Sequence, residues 1–365
     1  MRIGLDGTPL LGPRTGIGRY VEGLLEGLRG GADELVLTAF TWRGAEPLAH
    51  ARDVEVRHRR APARLLQRSW GALSWPPVEL LTGRLDVFHG TNYVLPPSRR
   101  AAGVVTVHDL SFLHHADTVE AATLRFRELV PRSLQRARAV CVLSETLAAE
   151  VCDQYGVPPE QVVVTRPGVG EGFRSAQPAG ADWLAARGLP PDFAVFVGSR
   201  EPRKGLPVLL QAWARLWHEG AAPPLCLVGP PGWGPALDLS GLPAEAVRVP
   251  GFLPAEDLPA VLASARLLAM PSRYEGFGIP PLEALATGTP VVVSDLPVFR
   301  ENLGALARYA AVGDVDSLTE ALRATLAEGT GSDAERARRR EHAAAFTWEA
   351  CARAARTAYA LALAA

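Results

Sequence analysis

Two glutamates eight residues apart, Glu275 and Glu283, stand in the segment Met270-Pro-Ser-Arg-Tyr-Glu-Gly-Phe-Gly-Ile-Pro-Pro-Leu-Glu283. Between them lie a glycine turn and a helix start. Gly276 and Gly278 let the backbone pass close to a ligand. Pro280 and Pro281 suit a first helical turn, where amides lack intrahelical partners. The N–H groups of Phe277, Gly278 and Ile279 can then bind hydroxyl or phosphate oxygens, aided by the helix dipole. Two carboxylates flanking such a turn suit paired hydrogen bonds to vicinal diols, as on a sugar ring and a ribose. The plainer alternative is that Glu283 stabilises a helix N-terminus and Glu275 is solvated.

Lys204 is the one lysine among 38 basic residues. The chain also has only two Asn (Asn92 and Asn302), three Ile and two Met, with Ala, Gly, Arg and Pro in excess. That is the profile of a GC-rich coding sequence. A lysine retained against such drift suggests a task for a compact, flexible ammonium rather than a planar guanidinium, although chance retention would also explain it. Lys204 sits in Gly198-Ser-Arg-Glu-Pro-Arg-Lys-Gly205, directly after the apolar run Phe193–Val197. A strand leading into a turn with Arg200, Arg203 and Lys204 before a helix suggests a seat for phosphate.

These residues need a scaffold to position them. A chain of 365 residues favours two domains over one. Apolar runs expected as strands are Arg2–Leu5, Glu34–Ala39, Val54–Arg57, Val87–His89, Val104–Val107, Ala139–Leu143 and Val162–Thr165 in the first half. In the second half they are Phe193–Val197, Leu225–Val228, Val247–Val249, Leu267–Met270, Val291–Ser294 and Arg308–Ala310. Helix-period segments such as Tyr20–Leu28, Leu124–Arg136, Glu145–Tyr155, Pro207–His218, Ala255–Ala263 and Pro281–Thr287 fall between them. Such alternation specifies α/β folding, with parallel sheets covered on both faces. A Gly-, Pro- and Ala-rich break around Gly168–Pro191 divides the chain. The expectation is two Rossmann-like doubly wound domains facing a cleft: residues 1–170, a linker at 171–191, and residues 192–346. A last helix, 347–365, would return to the first domain. Ligands of such sheets bind beyond the carboxyl ends of the strands.

Composition excludes several functions. A formal charge of −1 leaves no electrostatic footprint for nucleic acid. Cys141, Cys152, Cys226 and Cys351 include no CxxC pair, and read as residues of a reducing compartment. The amino terminus has no apolar signal region, and no stretch approaches a spanning helix, so the expected location is the cytoplasm.

The segment from Glu275 to Glu283 resembles the E-x7-E motif of retaining glycosyltransferases of family four, which have the two-domain GT-B fold. The resemblance covers essentially the whole chain. Gly16-Ile-Gly-Arg-Tyr20 is similar to the family's amino-terminal glycine loop, and Asp86–Asn92 and Thr106–Ser111 to its next two strand ends. Gly198–Gly205 resembles its basic phosphate loop, Pro290–Asp295 the strand after the E-x7-E helix, and Phe346–Glu349 the start of its closing helix.

The resemblance implies a retaining, metal-independent transferase of polysaccharide biosynthesis. It would move a hexose, mannose-type favoured, from a GDP- or UDP-hexose to a saccharide, lipid-linked or small-molecule acceptor. The nucleotide sugar is a co-substrate, and no other cofactor is implied. Arg203 and Lys204 would neutralise the donor diphosphate, with Arg200 a further candidate. Glu283 would hold the ribose hydroxyls. Glu275, with the amides of Phe277 and Gly278, would bind the transferred sugar, and Ile279 would be a further donor-binding residue. His108 would reach that sugar near the reacting carbon, and Gly16 and Gly18 would bring backbone close to phosphate or acceptor. The chain departs from the common pattern at Ser199, where many members carry Arg.

Rival readings remain at the level of sequence. Asp314-Val-Asp316 matches a metal-binding DxD, but following Gly313 and preceding a helix-period stretch, Asp316 reads as an N-cap. Gly16-Ile-Gly18 could open a dinucleotide site, but the third glycine is misplaced. Lys204 could carry pyridoxal phosphate in a phosphorylase-like enzyme. The chain could also be a non-catalytic sugar-nucleotide binding protein. Trp42, Trp213, Trp217 and Trp348 read as packing residues. Arg59–Trp75 combines arginines with leucines and two tryptophans. It can lie peripherally on the inner face of an anionic membrane, or be a surface helix with its apolar side packed inward.

Overall fold

The computed structural model describes residues 1–12, 16–42, 48, 54–58, 60, 62–234 and 236–365. Every apolar run expected as a strand forms one, within two residues at each end. The strands are β1 (Arg2–Asp6), β2 (Glu34–Thr38), β3 (Glu55–Val56), β4 (Val87–Gly90), β5 (Ala102–Val107), β6 (Ala139–Val142) and β7 (Val162–Val164), followed by β8 (Ala194–Val197), β9 (Leu225–Val228), β10 (Val247–Gly251), β11 (Leu268–Met270), β12 (Val291–Ser294) and β13 (Ala307–Ala310). They form two wholly parallel sheets, ordered β3-β2-β1-β4-β5-β6-β7 and β10-β9-β8-β11-β12-β13. Burial on both faces explains the continuous apolar runs, since crossover helices cover a parallel sheet on each side. In both sheets the strand order reverses beside the first strand, between β1 and β4 and between β8 and β11. Ligand crevices of open α/β sheets lie at that reversal, beyond the carboxyl ends of the strands.

Two compact units result. The first comprises Met1–Leu113, Ala121–Gly168 and Thr347–Ala365; the second comprises His114–Glu120 and Val169–Phe346. Residues 171–191, expected as a linker, are folded into the second unit. They form the helices Glu171–Arg174 and Ala181–Ala185 and bury Phe173, Leu184 and Leu189. Arg187 forks onto Asp257 at 2.8 and 3.0 Å, and Ala179 N–H donates to Ser264 Oγ at 2.8 Å. Apolar side chains without strand or helix periodicity carried no signal of this packing.

The last helix, Trp348–Ala364, belongs to the first unit. Thr347 caps it, accepting from Ala350 N–H at 3.0 Å. Its buried face is small: Cys351, Ala352, Ala355, Ala358 and Ala362 surround a single large side chain, Tyr359. Tyr359 OH meets His89 Nδ1 at 2.9 Å, and His89 Nε2 meets Thr106 Oγ1 at 2.7 Å. The helix thus ends its docking in a satisfied polar chain rather than a purely apolar contact. It crosses Gly16–Leu28 closely enough that a Cβ at Gly23 would lie 2.1 Å from Trp348 Cε2, and one at Gly27 2.2 Å from the Trp348 carbonyl. Trp348 therefore packs, as Trp213 and Trp217 do, whereas Trp42 is 66% exposed and does not. Gly23→Ala should destabilise the protein by about 1–3 kcal/mol, because the indole cannot retreat without strain. Urea unfolding should show it as a lowered midpoint; an unchanged midpoint would mean the helix contact accommodates a methyl group without strain.

Candidate functional site

The loop after β8 and the loop after β11 emerge side by side where the second sheet reverses. They are clasped backbone to backbone. Arg273 N–H donates to Arg203 O at 2.7 Å. Gly205, at φ 70°, has room for no side chain, since a Cβ would sit 2.0 Å from Pro271 O. Pro202–Lys204 forms one 3-10 turn before the helix Leu206–His218. Pro202 also restricts the residue before it to extended backbone. Glu201 adopts φ −91° and ψ 148°, which sends its carboxylate back across the turn.

The result is a buried cluster of two cations and two carboxylates. Lys204 Nζ donates to Glu275 Oε1 at 2.6 Å, and Arg203 Nη1 to Glu275 Oε2 at 3.2 Å. Arg203 Nε donates to Glu201 Oε2 at 2.9 Å, and Ser199 Oγ to Glu201 Oε1. Ser272 Oγ adds a bond to Glu275 Oε1 at 2.7 Å. The four charged side chains are only 8–15% exposed. Burial alone pushes the Glu275 carboxyl up, but Lys204 and Arg203 beside it, with hydrogen bonds from Lys204 and Ser272, bring it down to about 2. Glu275 is therefore ionised and engaged, not solvated. Arg200 lies outside this cluster and reaches Pro231 O at 3.4 Å.

Gly278, at φ 92°, caps the helix Ile279–Thr287. Pro280 and Pro281 occupy its second and third positions and have no N–H, so the helix start offers the amides of Gly278 and Ile279. Among the described residues neither amide has a hydrogen-bond partner. Glu283 projects from the second turn and is 1% exposed, too far along the helix to be its cap. The structure brings Arg203, Lys204, Glu275, the Phe277–Ile279 turn and Glu283 into one unit.

The other expected residues lie in the first unit. His108 follows β5 and is buried; its Nε2 bonds Thr91 O at 2.7 Å. A carbonyl only accepts, so Nε2 carries the proton and Nδ1 keeps its lone pair. Burial pushes the ring pKa down to about 4, against the opposing effects of Thr91 O and Asp109, so the imidazole is neutral at pH 7. Tyr20 and Tyr93 meet its ring edge to face at 5.2 and 5.4 Å. Gly16 and Gly18 lie not in a loop but in the first turn of the helix Gly16–Leu28. A Cβ at Gly16 would meet open space, so packing does not demand glycine there.

Asp314, not Asp316, caps the helix Val315–Glu328, accepting from Ser317 N–H at 3.0 Å. The cap must precede the first helical residue, and Asp316 already lies inside the first turn, paired with Arg215. Of Arg59–Trp75, Arg59 and Ala61 lie outside the described residues. The helix Ala63–Ala72 buries Leu66 and Trp70, while Leu65, Leu73 and Trp75 are 56–74% exposed. Among the described residues no helix is long and apolar enough to cross a membrane. Glu201, Ser199 and Ser272 were not among the expected site residues. For Glu201 a signal existed in the sequence: the proline after it.

A family model described as "Glycosyltransferase Family 4" matches residues 14–171, and one described as "Glycosyl transferases group 1" matches residues 191–328. The chain is 31% identical over 277 residues to the O-antigen chain mannosyltransferase B of Escherichia coli, covering 73% of this chain and 71% of that protein. Among solved structures it is similar to sucrose-phosphate synthase from Thermosynechococcus elongatus (TM-score 0.77, 20% identity, covering 99% and 98% of the two chains). It is also similar to Anabaena HepE in complex with UDP-glucose (TM-score 0.69, 20% identity, 98% of each chain).

The charge cluster links stability to acid. The folded-state pKa of Glu275 lies below its ordinary 4.5, so its contribution is present above about pH 4.5 and is lost as pH falls toward about 2. Glu275→Gln should remove that part of the acid dependence and, at pH 7, cost on the order of 3 kcal/mol by leaving two buried cations without their shared partner. Urea midpoints of both proteins from pH 7 to pH 2.5 test this. Parallel curves would show that Glu275 is not held ionised in the fold.

Proposed function

The chain belongs to the family-four glycosyltransferases (glycosyl transferases group 1), and from that premise we propose a retaining, metal-independent enzyme that moves a mannose-type hexose from a nucleotide-diphosphate sugar. The acceptor is a glycan, a lipid-linked saccharide or a small molecule. The observation that carries the reading is the pair Lys204 and Arg203, buried at the reversal of the second sheet and facing Glu275. The mannose preference draws on the Escherichia coli relative.

Lys204 and Arg203 receive the donor diphosphate, with Arg200 at the edge of the loop. As the glycosidic bond breaks, the leaving nucleoside diphosphate gains negative charge, and cations fixed there stabilise the transition state more than the ground state. Glu283 accepts the ribose hydroxyls. Glu275 and the Phe277–Ile279 turn bind the transferred sugar, and Gly16 and Gly18 admit phosphate or acceptor close to the backbone. Neutral His108 offers Nδ1 to a sugar hydroxyl. The acceptor oxygen attacks from the face the diphosphate leaves, and a phosphate oxygen takes its proton, so configuration is retained. In the empty protein Lys204 Nζ is engaged by Glu275 Oε1 at 2.6 Å rather than standing ready to condense with a pyridoxal aldehyde.

In the empty protein Glu275 already occupies both cations, so it competes with the diphosphate for them. Glu275→Gln should therefore bind free GDP or UDP more tightly than wild type while transfer falls sharply. Glu283→Gln should bind the free diphosphate more weakly, by about 1–3 kcal/mol if ribose hydrogen bonds to a charged group are lost. Calorimetric titrations, all in EDTA, separate the two, and transfer in EDTA should match untreated enzyme. Equal weakening by both variants, or loss of transfer restored by manganese, would overturn this arrangement.

Leu65, Leu73 and Trp75, with Arg68 among them, favour peripheral contact with an anionic membrane, at its inner face, as a lipid-linked acceptor requires. Vesicles containing anionic lipid should sediment wild-type protein, and Leu73→Glu with Trp75→Glu should abolish it; equal sedimentation of both would argue against this contact.

A further inference from the structure

We propose that Asn302 is a positioning residue for the transferred sugar: it holds the Phe277–Gly278 peptide so that the Gly278 N–H faces the sugar. The inference rests on the donor reading above and assigns a device within it. Asn302 is one of two asparagines in the chain and is 0% exposed. It lies on the helix Pro297–Leu303, where its Nδ2 donates to Phe277 O at 2.9 Å. Its own main-chain carbonyl accepts from His342 Nε2 at 2.7 Å. The helix backbone is thus tied down at Asn302, while its side-chain Oδ1 is buried with no hydrogen-bond partner among the described residues, so the bond to Phe277 O is the one the side chain makes.

A trans peptide is planar, and its C=O and N–H point in opposite directions. Holding Phe277 O toward Asn302 therefore turns the Gly278 N–H away from it. Gly278 and Ile279 supply the only amides at that helix start, because Pro280 and Pro281 have none. A rotation of this one peptide would remove one of the two donors. Phe299, three residues before Asn302 and on the same helix face, shapes the turn from below. A Cβ at Gly278 would lie 2.4 Å from Phe299 Cε1, so a side chain there would displace the peptide that Asn302 fixes. One helix thus sets both the backbone conformation and the peptide orientation of the sugar-binding turn.

Asn302→Leu keeps the branched shape in a larger side chain and removes the donor. Its affinity for free GDP and UDP should stay within about twofold of wild type. Its affinity for GDP-mannose or UDP-glucose, whichever wild type binds, should fall about tenfold, the size of one lost hydrogen bond, and kcat should fall with it. A residue that only stabilised the fold would shift the unfolding temperature and leave the ratio of the two affinities unmoved. A wild type that binds sugar nucleotide and free diphosphate alike would overturn the donor reading and this inference with it. A wild type that distinguishes them, with an unchanged ratio in Asn302→Leu, would overturn this inference alone. If Asn302→Leu does not fold, Asn302→Ser, which leaves room for water between its hydroxyl and Phe277 O, is read by the same ratio, with a smaller fall expected.

Discussion

Two cations and two carboxylates share a place only 8–15% exposed, and the second unit is arranged around keeping them paired. Removing ions from water costs several kcal/mol each unless attraction and hydrogen bonds offset it. Every nearby feature contributes to that offset. Ser272 and Ser199 complete the carboxylate hydrogen bonds, Pro202 aims Glu201, and the absence of a side chain at Gly205 allows the two loops to touch. Ser199 takes a hydrogen-bonding role at a position where an arginine would have brought a third cation. Arg203, held at both ends by Glu201 and Glu275, supplies the guanidinium instead.

Such a cluster is neutral as a whole but strongly polar within, and it is built before any ligand arrives. The first unit uses the opposite device. His89 and His108 are both buried and neutral, with burial pushing them down to about 3 and about 4. Neutral imidazoles suit hydroxyl recognition, because each ring offers one donor and one acceptor without a charge to desolvate.

The strands were legible because a sheet buried on both faces requires continuous apolar runs, and those runs lie in adjacent residues. The helix start at Ile279 was legible for a similar reason: glycine before it and prolines within its first turn are local chemistry. The packing of 171–191 was not, since Phe173, Leu184 and Leu189 follow no period and are buried by a partner distant in sequence. The cap of the helix Val315–Glu328 fell two residues earlier than expected. Either aspartate has the chemistry for it, and only the backbone at Asp314, φ −95° and ψ 113°, decides which one lies outside the helix.

Residue types and spacings alone determined which side chains could seat a phosphate and which could hold a diol, because a motif's composition and the turn it imposes are written within a dozen residues. They could not determine that Lys204 and Glu275, 71 residues apart, would be bound to each other in the folded chain. Read locally, Glu275 was solvated or on a sugar, and Lys204 was on a phosphate. That pairing depends on β8 and β11 lying side by side at the reversal of the sheet, with β9 and β10 sent to the other side. Strand order is a property of crossovers between distant segments, and no local pattern encodes it. The same holds for Asn302: an asparagine on a short helix has no visible task until the fold sets it against the carbonyl of Phe277, 25 residues earlier.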